Sequence, residues 1–303
     1  MKIVVLIKEV PDTYNKRVLD LETGLADRAA SEAILDESSE RALEVALSHA
    51  EVNDDVEILA LCLGPETAAS SLRKAFAMCV PRQEIVDNLI KPLNPEAQVM
   101  NLREVFPFQE NYADTVAAAY DGRYDQVDIE GAKKILEEQD AVGTKVRIGY
   151  SAPNERRTNE VAQIKSSCDK AGFEIVDAGD PKFFAPGGTQ ERGDYEVALF
   201  AWAGSGQITS GQNIYATGKP QNYGKYSNAE VDAAWETLAT SLDPAVHAEQ
   251  TKKIEKLLWD DLFGIPLFAH PGLSASGSDI QNVRHTATQS GIVWNAEQWM
   301  RAE

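Results

Sequence analysis

Few side chains in this 303-residue chain have the type and spacing for bond-making chemistry. The three cysteines, Cys62, Cys79 and Cys168, are far apart and fit no metal-ligand spacing. Cys62 lies in the apolar run EILALCLG, and Cys168 completes the spacing Val161, Ile164, Cys168, so both read as small core residues. The four histidines, His49, His247, His270 and His285, form neither HxxxH nor HExxH. GLSASG (272–277) lacks the second glycine of a nucleophile elbow. AGSGQITSG (203–211) misses the third-glycine spacing of a dinucleotide loop and runs on into QNIYATGKPQNYG, which is not helical in pattern. The expectation is no metal site, no catalytic constellation and no enzyme.

What remains is binding chemistry. Trp202 stands near the end of the run YEVALFAWA (195–203), where an indole either stacks on a ligand or packs the core. Gly204, Ser205 and Gln212 follow it with backbone and side-chain hydrogen-bonding groups.

Composition narrows the partner. Asp and Glu number 48 against 29 Lys and Arg, a net charge of −19, which argues against nucleic acid because phosphate binding needs clustered cations. A neutral or cationic small molecule is compatible with that balance. The acidic runs EVNDD and LEEQD have no ligand spacing and read as solvated faces. The start MKIVVLIKEVPDT has only a short apolar run before Lys8, and nowhere are there the roughly 20 apolar residues of a membrane span. As written, the chain is expected to be cytoplasmic.

The elements that would carry these groups follow from periodicity. KIVVLIK (2–8) and VEILALCLG (56–64) suit buried parallel strands. Between them, after a polar, turn-rich passage, Asp36 and Ser38 can cap a helix with Ala42, Val45, Ala46 and His49 on its inner face. A second helix follows Pro65, facing inward through Ala68, Leu72 and Phe76. Further on, one helix is expected near 129–138 within an otherwise irregular stretch 103–144. KVRIGYSA (145–152), a helix over 156–171 and FEIVDAG (173–179) make a βαβ unit. YEVALFAWA is a further strand, Ser227 with Glu230 forms a capping box, Asp243 caps and Pro244 opens a long helix, and GIPLFAH (264–270) is an irregular or edge strand because of Pro266. The class is α/β.

Two resemblances attach to these residues. MKIVVLIKEVPDT, LDESSERALEVAL and LALCLGPETAASSLRKAFAM, roughly residues 1–78, resemble the start of the electron transfer flavoprotein β-subunit. That resemblance implies a partial doubly wound, Rossmann-like βαβα unit that binds AMP and docks on an α-subunit holding FAD. The segments that match its AMP pocket contain Lys8, Val10, Asp36, Gly64 and Glu66, and strand ends and helix N-termini do offer N–H groups to phosphate. After Met78 the chain leaves that pattern with Cys79, Val80 and Pro81.

From about Leu72, RKAFAMCVPRQEIVDNLIKPLNPEA, YDQVDIEGAKKILEE and NYGKYSNAEVDAAWETLATSLDPAVHAEQTKKIEKLLWDDLFGIPLFAHP resemble the family 5 solute-binding proteins of ABC importers, the oligopeptide and dipeptide receptors. Residues 79–303 would then be an incomplete periplasmic-binding-protein-like α/β portion. The resemblance implies a solute ligand contacted by Trp202, Gly204, Ser205 and Gln212, no cofactor, an ABC permease as partner and a periplasmic or cell-surface address. In peptide receptors of that family the pattern is Trp, two small residues, then an Asp that pairs with the peptide amine; here Ser205 follows Trp202, Ala203 and Gly204. A hydroxyl does not neutralise an ammonium group, so a sugar or another neutral polar solute fits at least as well as a peptide.

Three accounts follow: a solute-binding component, an electron-transfer subunit, or a non-functional fusion of two truncated genes. The stretch SSLRKAFAMCVPRQEIVDNLI (70–90) satisfies both family patterns in register and reads as a splice point rather than a flexible linker.

Overall fold

The computed structural model describes residues 2–7, 9–11, 33–35, 37–53, 57–62, 66–202, 208–286 and 291–302. The chain divides into two compact units, Met1–Ser71 and Leu72–Glu303.

In the first unit β1 (Lys2–Ile7) and β4 (Glu57–Cys62) pair in parallel, Lys2 opposite Glu57 through Ile7 opposite Cys62. The crossover between them contains α1 (Glu37–Glu51), and α2 (Glu66–Cys79) follows, which gives the expected β–α–β–α order. The polar passage carries an additional feature: β2 (Glu9–Pro11) and β3 (Ala33–Leu35) pair antiparallel, Val10 opposite Ile34. Pro11 stands at the end of its strand, the position at which a residue without an N–H is tolerated. The inner face of α1 differs from the expected one. Ala46 is buried, but Ala42, Val45 and His49 are exposed, Val45 by 71%. Leu43, half-buried and three residues before Ala46, sets the stripe on a different side.

The second unit is built on a parallel three-stranded sheet in the order β6–β5–β7. Strand β5 (Lys145–Ser151) leads through α6 (Glu155–Ala171) into β6 (Glu174–Asp180), a right-hand βαβ unit by the usual chirality. Strand β7 (Val197–Ala198) adds to the other side of β5, Ile148 opposite Val197. The expected strand over 195–203 is thus paired for two residues only. Asn154 caps α6 by accepting from Arg157 N at 3.0 Å, and Gly172, at φ 108°, ends it in the left-handed region that glycine favours. Helix α5 (Ile129–Glu138) and the end of α2 close one core with this sheet, containing Ala75, Ile85, Leu136, Ile148, Val161, Ile164 and Ile175. Cys168, expected only as a small core residue, is joined to Cys79 by a disulfide, with Cα atoms 5.0 Å apart.

After α2 come α3 (Arg82–Ile85) and a π-helical turn (Val86–Ile90). The stretch expected to be irregular also holds α4 (Tyr112–Ala119), whose Ala-rich sequence has helix propensity and whose Val116 and Ala119 pack against Leu102 and Val105. Helix α7 (Thr189–Arg192) is a single turn. Helices α8 (Ile208–Tyr215), α9 (Ala229–Thr240) and α10 (Pro244–Asp260) form a second core through Ile214, Val231, Trp235, Leu238, Ile254 and Leu258. Asp243 caps α10 as expected, accepting from Ala245 N at 2.8 Å. The cap of α9 is Asn228, which accepts from Glu230 N at 2.9 Å, and not Ser227, whose hydroxyl is bonded to Thr217. The expected strand at 264–270 is reduced to one bridge, Phe268 to Val99, beyond Pro266. Strands β8 (Ile280–Gln281) and β9 (Met300–Arg301) pair antiparallel near the C-terminus.

Two buried arginines fasten these pieces together. Arg82, 1% exposed, donates to Asn101 Oδ1, Tyr120 OH and Asp125 Oδ1, each at 3.0 Å, and to Pro266 O at 3.2 Å. Arg103 pairs with Glu255 of α10, Nη1 to Oε2 at 3.2 Å, and also donates to Leu258 O and Gly264 O. The ring of Trp259 lies between the two guanidinium groups, 5.5 Å from Arg82 and 4.7 Å from Arg103. Its Nε1 donates to Asn101 O at 2.8 Å.

Candidate ligand-binding site

Because β5, β6 and β7 are parallel, their carboxyl ends open on one edge of the sheet, where ligands collect in α/β folds. Each strand delivers a different group to that edge. β5 leads into the capped start of α6. β6 ends at Asp180 and turns through Phe183 and Phe184 into α7. β7 is extended by Leu199, whose N–H donates to Gly149 O at 2.8 Å, and continues to Phe200 and Trp202. Phe200 and Trp202 are two residues apart, and their rings meet with centroids 5.0 Å apart.

These rings form a connected aromatic surface. Trp202 stacks on Tyr223, which comes from the connection between α8 and α9, with centroids 5.6 Å apart and planes 23° apart. Phe200 stands edge-on to Trp202 at 5.0 Å and to Phe184 at 5.5 Å, and Phe184 lies 5.6 Å from Tyr223. Phe183, fully buried, anchors the group: it packs on Phe184 at 4.7 Å and on Tyr195 at 5.3 Å. Gly149 makes that anchorage possible, since a methyl group there would run into the Phe183 ring and lie 3.2 Å from Tyr195 Cβ. Phe184 is 41% exposed, and Phe200, Trp202 and Tyr223 are half-buried. On its other side Trp202 packs against the core of α8, α9 and α10. Such a surface offers π faces on a rigid base, worth about 0.5–1.5 kcal/mol per ring pair beyond area burial.

Charged groups on the strands and turns that lead to the shelf are engaged within the protein. Asp180 accepts from Thr189 Oγ1 and from Lys182 N at 2.8 Å, and the Thr189 hydroxyl, followed by the Lys182 amide, holds its carboxyl below the usual carboxylate range. Arg192 pairs with Asp194 at 2.7 Å and Arg147 with Glu196 at 2.7 Å. Among the described residues no group of three or more His, Cys, Asp or Glu side chains is placed to hold a metal ion.

Of the expected ligand set, Trp202 is in this shelf and Gln212 is half-buried on α8, while Gly204 and Ser205 lie outside the described residues. Of the expected AMP set, Val10 is in β2, paired with Ile34, and Glu66 is the first residue of α2; Lys8, Asp36 and Gly64 lie outside the described residues. Sequence reasoning missed Phe184, Phe200 and Tyr223. For Phe200 the two-residue spacing to Trp202 was an available signal. Phe184 and Tyr223 reach the shelf from loops, and no local pattern marks them.

The family description "Bacterial extracellular solute-binding proteins, family 5 Middle" matches residues 5–224. An uncharacterized lipoprotein of Mycobacterium tuberculosis is 28% identical over 245 residues, 78% of this chain and 41% of that protein. The oligopeptide-binding protein OppA of Mycobacterium bovis is 28% identical over 134 residues, 44% of this chain and 22% of its own length. The chain therefore spans about two fifths or less of these relatives. Among solved structures, the periplasmic EDTA-binding protein EppA superposes with a TM-score of 0.63 at 18% identity, covering 77% of this chain and 45% of that one. The oligopeptide-binding protein AppA of Bacillus subtilis, in complex with a nonapeptide, gives a TM-score of 0.59 at 17% identity over 77% of this chain and 48% of its own. These neighbours share the α/β fold. A separate similarity is short: the electron transfer flavoprotein β-subunit of Mycobacterium bovis is 46% identical over 80 residues, 25% of this chain and 30% of that one.

Proposed function

The chain belongs to the bacterial extracellular solute-binding proteins of family 5, and from that premise we propose that it forms part of the solute-gripping α/β portion of an ABC-importer receptor. The observation that carries this reading is the stack of Trp202 on Tyr223, continued by Phe200 and Phe184 at the carboxyl edge of the sheet. The ligand would lay an apolar or planar face on these rings. Gln212, Ser205 and the Gly204 backbone would supply hydrogen bonds from the start of α8 and the segment before it. The relatives bear the names of binding proteins, and in this reading the chain is a carrier and not an enzyme.

The ligand class follows from the charges. In the peptide receptors that this chain resembles, an Asp stands where this chain has Ser205, and the Asp180 carboxylate at the carboxyl end of β6 is hydrogen-bonded within the protein. A small peptide or another polar solute that presents no free amine at this point fits best. Purified protein should show a raised melting temperature with an amine-blocked peptide or a neutral solute, and a larger rise than with the free-amine form of the same peptide. No rise with any of them, or a preference for the free amine, would sink this reading of the ligand.

The Cys79–Cys168 disulfide supports an exported address, since such bonds persist in oxidising compartments. The names of the relatives, a lipoprotein and a periplasmic binding protein, point the same way. No helix among the described residues is long and apolar enough to cross a membrane, and the membrane partner would be the permease.

A second reading rests on the 46% identity with the flavoprotein β-subunit and on the separate compactness of Met1–Ser71. Residues 1–78 would then derive from an electron-transfer gene, with AMP at Lys8, Val10, Asp36, Gly64 and Glu66 and FAD on a partner α-subunit, joined to a truncated receptor over 79–303. The family match starting at residue 5 weighs against it. Mass spectrometry of the source cell tests it: a peptide spanning residues 60–90 establishes one natural chain, and AMP titration then reads the nucleotide site.

A further inference from the structure

Glu104 precedes α4, and its carboxyl group meets α8 and α9, while its backbone meets α10. Its N–H donates to Glu255 Oε1 at 2.7 Å, beside the N–H of Arg103 at 2.5 Å, and the Glu255 charge acts on the Glu104 carboxyl group. Arg103, the cation beside them, bonds Glu255, Leu258 O and Gly264 O and leaves its buried Nε without a partner. On the far side α8 approaches at Gly211, where a methyl group would collide with Glu104 Oε2 and with the ring of Trp235. The contact leaves no room for water between Oε2 and the helix. Trp235 adds a buried Nε1 with no hydrogen-bond partner to the same region.

The titratable and charged groups facing this pair are Arg103 from the same segment, Tyr112 from α4, Tyr215 from α8 and Glu255 from α10; α9 contributes the indole of Trp235. One positive charge thus serves two carboxyl groups, so ionising the second is disfavoured. Burial, reinforced by Glu255, pushes Glu104 up to about 8, and burial followed by Glu104 pushes the Tyr215 phenol up.

We propose that Glu104 is a protonation-dependent latch on α8: neutral, it lets the helix pack at Gly211; ionised, it loosens the helix together with Gln212. The sign follows from linkage. The folded state holds this proton more tightly than an unfolded chain does, so the stability contribution is complete below the usual carboxylate range. It is lost as the pH rises through about 8.

The effect on ligand rests on the proposed solute site; the latch itself does not, and is read without ligand. Tryptophan fluorescence of the whole chain, followed between about pH 6 and about pH 10, should change with a midpoint near 8 in the native sequence, where the melting temperature should fall with rising pH and level off above about 8, and neither feature should appear in Glu104→Gln. The same transition in Glu104→Gln, or none in the native protein, overturns the proposal. Hydrogen exchange on the native protein supplies a readout that does not depend on the variant folding. The amides of Ile208–Tyr215, corrected for intrinsic rates, should lose protection across that transition, and unchanged protection overturns the latch. A solute that binds should lose about fivefold or more in affinity across the transition in the native protein alone. Absence of binding at every pH would count against the solute site and leave the fluorescence and exchange results to decide the latch.

Discussion

Cys79, the last residue of α2, is bonded to Cys168 inside α6 across 89 residues of sequence, and neither side chain has any solvent exposure. The bond fastens the beginning of the second unit to its sheet. Closing a loop of that length removes about 4–5 kcal/mol of chain entropy from the unfolded state. The double variant Cys79→Ser, Cys168→Ser should therefore unfold in urea at a clearly lower midpoint than the oxidised protein. The thiols of the native protein should resist alkylation under reducing conditions until it unfolds. Equal midpoints for the two proteins would show that the cross-link is not part of the folded state.

Arg82 joins four separate segments through Asn101, Tyr120, Asp125 and Pro266. Removing it leaves buried carbonyls and hydroxyls without a donor, and Arg82→Met should cost about 3 kcal/mol or more in denaturant titration. Arg82→Lys should recover only part of this, because one ammonium group cannot span acceptors held by a planar fork. Native stability in the Lys variant would contradict this role.

Glu255 accepts from the backbone N–H groups of Arg103 and Glu104 as well as from the Arg103 side chain. Glu255→Ala should cost about 3–5 kcal/mol, since it strands a buried guanidinium. In Glu255→Gln the like charge beside Glu104 is gone and Arg103 is free to face it, so the Glu104 transition should move to lower pH than in the native protein. Carboxyl titration by NMR checks the direction; an upward movement would be the contrary result.

Much of the scaffold was legible in the sequence. KVRIGYSA, the helix behind Asn154 and FEIVDAG show their βαβ unit through apolar spacing alone, and Asp243-Pro244 announces the start of α10. Where two adjacent residues could both cap, as Ser227 and Asn228 could, spacing did not decide between them, and the carboxamide does the capping. Of the aromatic shelf only Trp202 was singled out in the sequence, because a strand end is a local feature while Phe184 and Tyr223 arrive from distant loops. The disulfide and the Arg82 hub were hidden for a related reason. Their partners are far away in sequence, and several of Arg82's are backbone carbonyls, which no residue type reveals.

The shelf is the central claim, and Trp202 is the residue to change. Trp202→Ala removes the ring that stacks on Tyr223 and meets Phe200, and it should weaken a bound solute by about 1–3 kcal/mol, about fivefold to about 150-fold in Kd. Isothermal titration of the native protein and this variant with a solute found by thermal shift measures it, with circular dichroism confirming that the variant is folded. The account predicts a large loss of affinity in Trp202→Ala and a smaller one in Trp202→Phe, which keeps an aromatic face. Equal affinity in the native protein and a folded Trp202→Ala variant would contradict it.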